Sequence, residues 1–141
     1  MGKINIGRVV LGGVVAGIVS DLLGYLVDGL WLGQSWSDGM QALGQATFAN
    51  NQLIWFNLLG IVGGLVSIWI YAGIRPRFGA GVKTAIYAGV AVWIVGVLLP
   101  NASFMYVAGL FNKHLTLYTT LGGLVEVVVG TIAGAALYKE A

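Results

Sequence analysis

Four long apolar stretches limit this chain to folds that fit a membrane. A helix crosses the ~30 Å hydrocarbon layer with about 20 residues, and lipid offers no partner for an unpaired backbone group, so each stretch must be helical. Of the 141 residues, 58% are apolar and 9% are charged, whereas about a quarter is charged in a soluble domain. The sequence therefore predicts an all-α fold, a four-helix bundle integral to the membrane. We place one domain over residues 1–141, with spans near 4–30, 53–74, 81–99 and 115–138.

Basic residues fall almost entirely on one side of these spans. Only Lys113 lies on the other side. Positive residues in short loops stay in the cytoplasm, and the N-terminus lacks a short apolar core followed by a small-residue cleavage site. We expect a multi-pass protein of the cell's inner (cytoplasmic) membrane, with cytoplasmic N- and C-termini. The six residues on the cytoplasmic side are Lys3, Arg8, Arg75, Arg77, Lys83 and Lys139.

The loops between the spans differ in length and composition. In the first outer loop, Ser35–Asp38 has the spacing of a capping box with Ser35 as N-cap. This pattern predicts a short interfacial helix over 36–49; the alternative is an ordered loop packed over the bundle. Pro100 is expected to end or kink the third span, although the helix could also continue beyond it. The inner loop 75–81 is rich in helix breakers and predicts a tight hairpin.

Glycines recur at four-residue spacing along the spans. Small residues let helix backbones approach closely in lipid, where no hydrophobic force drives helices together. The pattern therefore predicts close helix packing, within one bundle or against another protein. The glycines in question are Gly13, Gly17, Gly60, Gly64, Gly122, Gly130 and Gly134.

Two carboxylic acids, Asp21 and Glu126, interrupt the first and fourth spans at similar depth. An acid in hydrocarbon is costly unless it is neutralised, paired or hydrated. One interpretation is a proton or cation site; the other is a protonated acid that holds two helices together by a hydrogen bond. Asp28 and Asp38 are expected to be solvated. Candidate partners for the two buried acids are Ser20, Ser67, Thr131, Tyr25, Trp69 and Trp93.

Several classes of chemistry lack the residues they need. The chain has no cysteine, so disulfides, thiolate metal sites and iron–sulfur clusters are excluded. It has no phosphate-binding loop and no zinc motif, and its scattered basic residues do not favour nucleic acid. We expect no cofactor, no metal and no enzymatic activity. His114, the one histidine, is either an interfacial side chain or a possible ligand contact to a pigment.

The segment Gly7–Gly17, then Gly33–Trp36 and Met40–Gly44, resembles small uncharacterised bacterial four-span membrane proteins of the domain-of-unknown-function type. The resemblance covers mainly the first 45 residues and implies no activity. Proteins of that kind commonly carry a polar or acidic residue midway along the first span, which here corresponds to Asp21.

Three functional hypotheses follow. The first is a non-enzymatic structural or accessory subunit of a larger membrane complex or a homo-oligomer, with lipid and other membrane subunits as its partners. The second is a small proton- or cation-coupled transporter or channel subunit that uses Asp21 and Glu126. The third is a binder of a lipophilic ligand such as a quinone or a tetrapyrrole.

Overall fold

The structure, a computed structural model, describes residues 2–141, which are mostly helical and contain no β-strand. Four of the helices within this range are long and apolar enough to cross a membrane, which confirms the predicted helical bundle. These are α1 (Ile6–Trp31), α3 (Asn50–Phe78), α4 (Val82–Val107) and α5 (Lys113–Ala135), and the short α2 (Gly33–Ala42) lies between α1 and α3.

Both chain ends meet the α3–α4 loop at one end of the bundle, here called the terminal end. Tyr138 accepts a hydrogen bond from the Asn5 backbone amide at 3.3 Å, and its ring packs edge-on against Tyr71. Tyr71 in turn accepts from the amide of Gly81 at 3.1 Å. The opposite end, which carries α2 and the α4–α5 loop, is called the α2 end.

Helix α1 packs against α3 on one side and α5 on the other. A Cβ on Gly13 would meet the Cα of Leu65 on α3 at 2.6 Å. On the other side of α1, a Cβ on Gly12 would meet the carbonyl oxygen of Gly134 on α5 at 2.6 Å. Helix backbones therefore touch directly at these points, and only a residue without a side chain allows such an approach.

The α3–α4 hairpin is tighter than predicted. The expected loop began at Arg75, but α3 continues through Pro76 to Phe78. A proline so near the helix end removes only one of its last hydrogen bonds. Gly79 and Gly81 then turn the chain, with φ of 85° and 124°, values that favour glycine.

Helix α4 continues past Pro100, as in the second of the two outcomes expected there. Its last part is π-helical over Ile94–Leu98 and again over Asn101–Val107, and the Ala108 amide reaches the Ser103 carbonyl at 3.0 Å. π-Helical segments are rare and often lie at functional sites. The third span is therefore longer than the predicted 81–99.

The short helix α2 begins earlier than predicted and its proposed cap is wrong. The Trp36 amide already donates to the Leu32 carbonyl at 2.9 Å, so Ser35 lies inside the helix. Asp38 accepts instead from the Gln34 side chain at 2.8 Å. The helix ends at Ala42 rather than near Ala49.

The fourth span also ends earlier than predicted. It ends at Ala135 instead of Tyr138, because a turn follows in which the Tyr138 amide donates to the Ala135 carbonyl at 3.1 Å. This turn places the tyrosine ring in the core at the terminal end.

Candidate functional site

A cavity of about 960 Å³ occupies the half of the bundle nearer the α2 end. It extends from α2 and the segment after it down to Ser67, near the middle of α3. All four long helices contribute to its walls. Most of the wall is apolar, and its aromatic members are Tyr25, Trp36, Phe48 and Phe56.

Three carboxylates line this cavity: Asp21, Asp28 and Glu126. Asp21 extends from α1 towards α3, where it fills the space above Gly60, so that a Cβ on this glycine would collide with the carboxylate. Glu126 extends from α5 towards α1, with its Oε2 atom 3.4 Å from the position of a Cβ on Gly24. The absent side chains of two glycines therefore make room for two acids.

The three acids follow one another along the bundle axis. Gly24, which Glu126 faces, comes three residues after Asp21 and four before Asp28. At about 1.5 Å of rise per residue, Asp21, Gly24 and Asp28 lie at successive levels of α1 that are about 5 Å apart. The series starts near the α2 end with Asp28 and descends through Glu126 to Asp21.

Asp28, which was expected to be solvated, is half-buried and hydrogen-bonded within the bundle. Its Oδ1 atom accepts from the Trp36 indole at 2.9 Å and from the Thr119 hydroxyl at 2.7 Å. It lies in the π-helical segment Tyr25–Trp31 of α1, which turns it towards α2 and α5. The sequence did carry a signal, because residues seven apart share one face of a helix and Asp28 follows Asp21 by seven.

The polar side chains expected to pair with Asp21 and Glu126 are bonded elsewhere. Ser20 donates to the Glu126 backbone carbonyl at 3.0 Å rather than to its carboxylate. Ser67 donates to the Gly63 carbonyl within its own helix at 2.9 Å. The Oε1 atom of Glu126 is buried and has no hydrogen-bond partner among residues 2–141.

The remaining candidate partners make no hydrogen bond to either carboxylate among the described residues, although Tyr25 lines the same cavity. Thr131 donates to the Val127 carbonyl of its own helix, and the Trp93 indole donates to Thr120. Tyr25 and Trp69 are mostly exposed on the bundle surface, at 62% and 57%.

The cavity has one sign of charge. Among the described residues that line it, three are acidic and none is Lys, Arg or His. An isolated carboxylate in a low-dielectric site attracts a proton or another cation strongly. The arrangement is therefore suited to hold protons or positively charged groups.

The glycines close the other half of the bundle below the cavity. A Cβ on Gly64 would collide with the α1 backbone at Gly13 and Gly17, and one on Gly130 would lie 2.6 Å from the Ala16 carbonyl oxygen. This zone of backbone contact between α1, α3 and α5 is called the glycine seam. The cavity consequently ends near mid-bundle and does not reach the terminal end.

The other predicted site glycines pack within the chain as well. A Cβ on Gly17 would collide with Ile61, and one on Gly134 would collide with the carbonyl of Gly12. Gly122 lies against a Val27 methyl group, 2.6 Å from the position of its Cβ. The seven glycines chosen from the sequence thus have close neighbours inside this single bundle.

His114 lies outside the acidic cavity. It is exposed at the start of α5, with its ring 4.4 Å from that of Tyr118. Within residues 2–141, no group of three or more His, Cys, Asp and Glu side chains is arranged to hold a metal ion. The three acids therefore form a series of separate groups and not a metal-binding cluster.

Comparison of the chain with protein-family models, with curated proteins and with solved structures finds no match.

Proposed function

We propose that the protein is a non-enzymatic integral membrane protein that binds protons or a cationic solute in its acidic cavity and moves them as a small transporter. The observation that carries the proposal is the series Asp28, Glu126 and Asp21 in one cavity whose described lining residues include no basic side chain. A helix bundle that needed an acid only for packing would hydrogen-bond it to its own groups, as this bundle does with Asp28. Glu126 instead keeps a buried oxygen without a protein partner among the described residues.

The proposal includes an orientation in the inner membrane. Six of the seven Lys and Arg residues belong to the terminal end, and the positive-inside rule places that end in the cytoplasm. The acidic cavity then lies in the outer half of the membrane, and the glycine seam separates it from the cytoplasm. In this arrangement a cation reaches the acids from outside, and release to the cytoplasm requires the seam to open.

An accessory subunit of a larger complex or a homo-oligomer is the second candidate. It is favoured by the first part of α3, where every residue from 50 to 59 is exposed. A helix segment without a buried face needs lipid, a ligand or another subunit beside it. The glycine argument for a partner is weaker, because the glycines that suggested one have neighbours within the chain.

The proposal is tested by reconstituting the purified protein into liposomes and recording transient currents on a solid support after a step in proton or sodium concentration. We expect currents that fall to background in D21N and E126Q. D38N is the matched control, because Asp38 is an exposed acid on α2 outside the cavity. Absence of currents in the parent protein, together with a stoichiometric second polypeptide after mild purification, would favour the accessory subunit.

A further inference from the structure

We infer that the acidic cavity is a binding site for a lipophilic organic cation, a molecule with a positively charged nitrogen or phosphorus centre and apolar or aromatic substituents. This inference rests on the proposed function, since it names the class of substrate for the same cavity. It requires that the volume, the walls and the charge of the cavity all suit such a molecule.

The volume exceeds what a bare ion needs. One water molecule occupies about 10–15 Å³ of such a cavity, whereas this cavity measures about 960 Å³. Binding sites for drug-sized molecules have about 300–1,000 Å³. A proton or a sodium ion would leave nearly all of this space to be filled by something else.

The walls suit an apolar body. Trp36, Phe48 and Phe56 form a contiguous aromatic group, with ring centroids 6.0 Å apart for the first pair and 5.3 Å apart for the second. Aromatic faces attract organic cations through their quadrupole, and the attraction grows when the cation is desolvated. This aromatic group lines the same cavity as Asp28, whose oxygen accepts from the Trp36 indole.

The charges suit a diffuse cation better than a metal ion. A metal ion needs several oxygen ligands converging at about 2.0–2.6 Å, but the three carboxylates are spaced along the axis and form no such cluster among the described residues. A bulky cation needs only an uncompensated negative charge near its centre. Each of the three acids can provide it, at successive depths.

The cavity wall lacks a side chain at two positions, one on α3 and one on α4. Gly63 on α3 and Gly96 on α4 both line the cavity, and neither has another described atom within 4 Å of the position of a Cβ. Both glycines lie near the middle of their helices. There is therefore open space beside α3 and α4 at the depth of the hydrocarbon core, where a lipophilic molecule dissolved in the bilayer is present.

The experiment measures equilibrium binding of tetraphenylphosphonium to the full-length protein in mild detergent. Tetraphenylborate, which has nearly the same shape and the opposite charge, is the control ligand. We expect saturable binding of the cation and no saturable binding of the anion. In D21N, D28N and E126Q the Kd for the cation should be at least about tenfold higher, since removing a charge about 8 Å away at an effective dielectric of 20 predicts a Kd about thirtyfold higher. D38N should bind as the parent protein does.

A second variant tests the volume separately from the charge. Gly63→Leu adds a side chain to the wall without changing a charge, so it should weaken tetraphenylphosphonium binding while leaving proton currents in place. Each variant is checked for folding by its size-exclusion profile and far-UV circular dichroism. A loss of binding in D38N equal to that in D21N would overturn the inference.

The outcomes separate this inference from the proposed function. Acid-dependent proton or sodium currents without tetraphenylphosphonium binding would overturn the organic cation and leave cation transport standing. Equal binding of tetraphenylphosphonium and tetraphenylborate would also overturn it, because the cavity would then select for apolar surface alone. Absence of both binding and currents would contradict both proposals.

Discussion

Gly64→Ala should weaken the bundle, although alanine is the better helix former. The added methyl group would meet three backbone atoms of α1, with the Cα of Gly17 at 2.8 Å and the Gly13 oxygen and Gly17 nitrogen nearer still. Carbon atoms at their optimum distance are about 3.5–4.0 Å apart. Because backbone atoms cannot rotate away, α1 and α3 have to separate by about 0.7 Å or more to reach that optimum.

The size of the effect follows from that separation. A gap of about 0.5–1 Å forfeits a quarter to a half of the dispersion energy of each contact, and overpacking of a close contact costs about 1–3 kcal/mol. Gly73→Ala is the matched control in the same helix, since its Cβ would have no described atom within 4 Å. The gain in helix propensity of about 1 kcal/mol applies to both variants. We therefore expect Gly64→Ala to be less stable than Gly73→Ala by about 1–3 kcal/mol.

The difference can be measured by unfolding both variants with sodium dodecyl sulfate in mixed micelles, followed by far-UV circular dichroism. The chain also has five tryptophans that provide a fluorescence signal for the same transition. Equal midpoints for the two variants would refute the reasoning, because they would mean that α1 and α3 do not meet backbone to backbone at Gly64.

Three further predictions follow from the structure. Gly60→Ala should lower stability by less than Gly64→Ala does, by under about 1 kcal/mol in the same titration. The reason is that the added methyl group meets the Asp21 side chain, which can rotate into the cavity, and not a backbone. A loss as large as that of Gly64→Ala would contradict this. Thr119→Val should lower stability by about 1.5–3 kcal/mol, since it removes a hydrogen bond to the Asp28 carboxylate. Thr131→Val removes only a hydrogen bond within its own helix and should lower stability by less. The reverse order would argue against the Asp28 contact. Because the chain has no cysteine, single Lys139→Cys and Gln41→Cys variants can be labelled with a membrane-impermeant maleimide. We expect the first to be labelled from the cytoplasmic side and the second from the outer side. Labelling of both from the same side would exclude the proposed orientation.

The helical bundle was predictable because hydrophobicity along a chain reports directly on helices of membrane length. The exact ends of the helices were not predictable. A loop was predicted at Pro76, and for Pro100 both an interrupted and a continued helix were left open; α3 and α4 continue past both prolines. A proline removes one hydrogen bond, and a helix can accept that loss near its end or next to π-helical turns.

The acids of the site were only partly predictable. Asp21 and Glu126 stand out because charged residues are rare in apolar spans, but Asp28 is close enough to the span end to suggest exposure to water. Its π-helical segment and the Trp36 indole on α2 take part in its placement, and neither is visible in the local sequence. The hydroxyl partners failed for another reason: Ser and Thr in helices commonly bond the carbonyl four residues earlier, as Ser67 and Thr131 do.

The two halves of α1 explain why one end of the bundle is sealed and the other is open. Up to Gly17, the small residues of α1 let its backbone contact the backbones of α3 and of α5. One turn later Asp21 occupies the space above Gly60, and from there α3 has an exposed segment instead of a packed face. Collapse of the cavity would enclose three carboxylates in apolar packing, and each ionised group costs several kcal/mol to desolvate. In the proposed function, a cation that neutralises the three acids would remove this penalty.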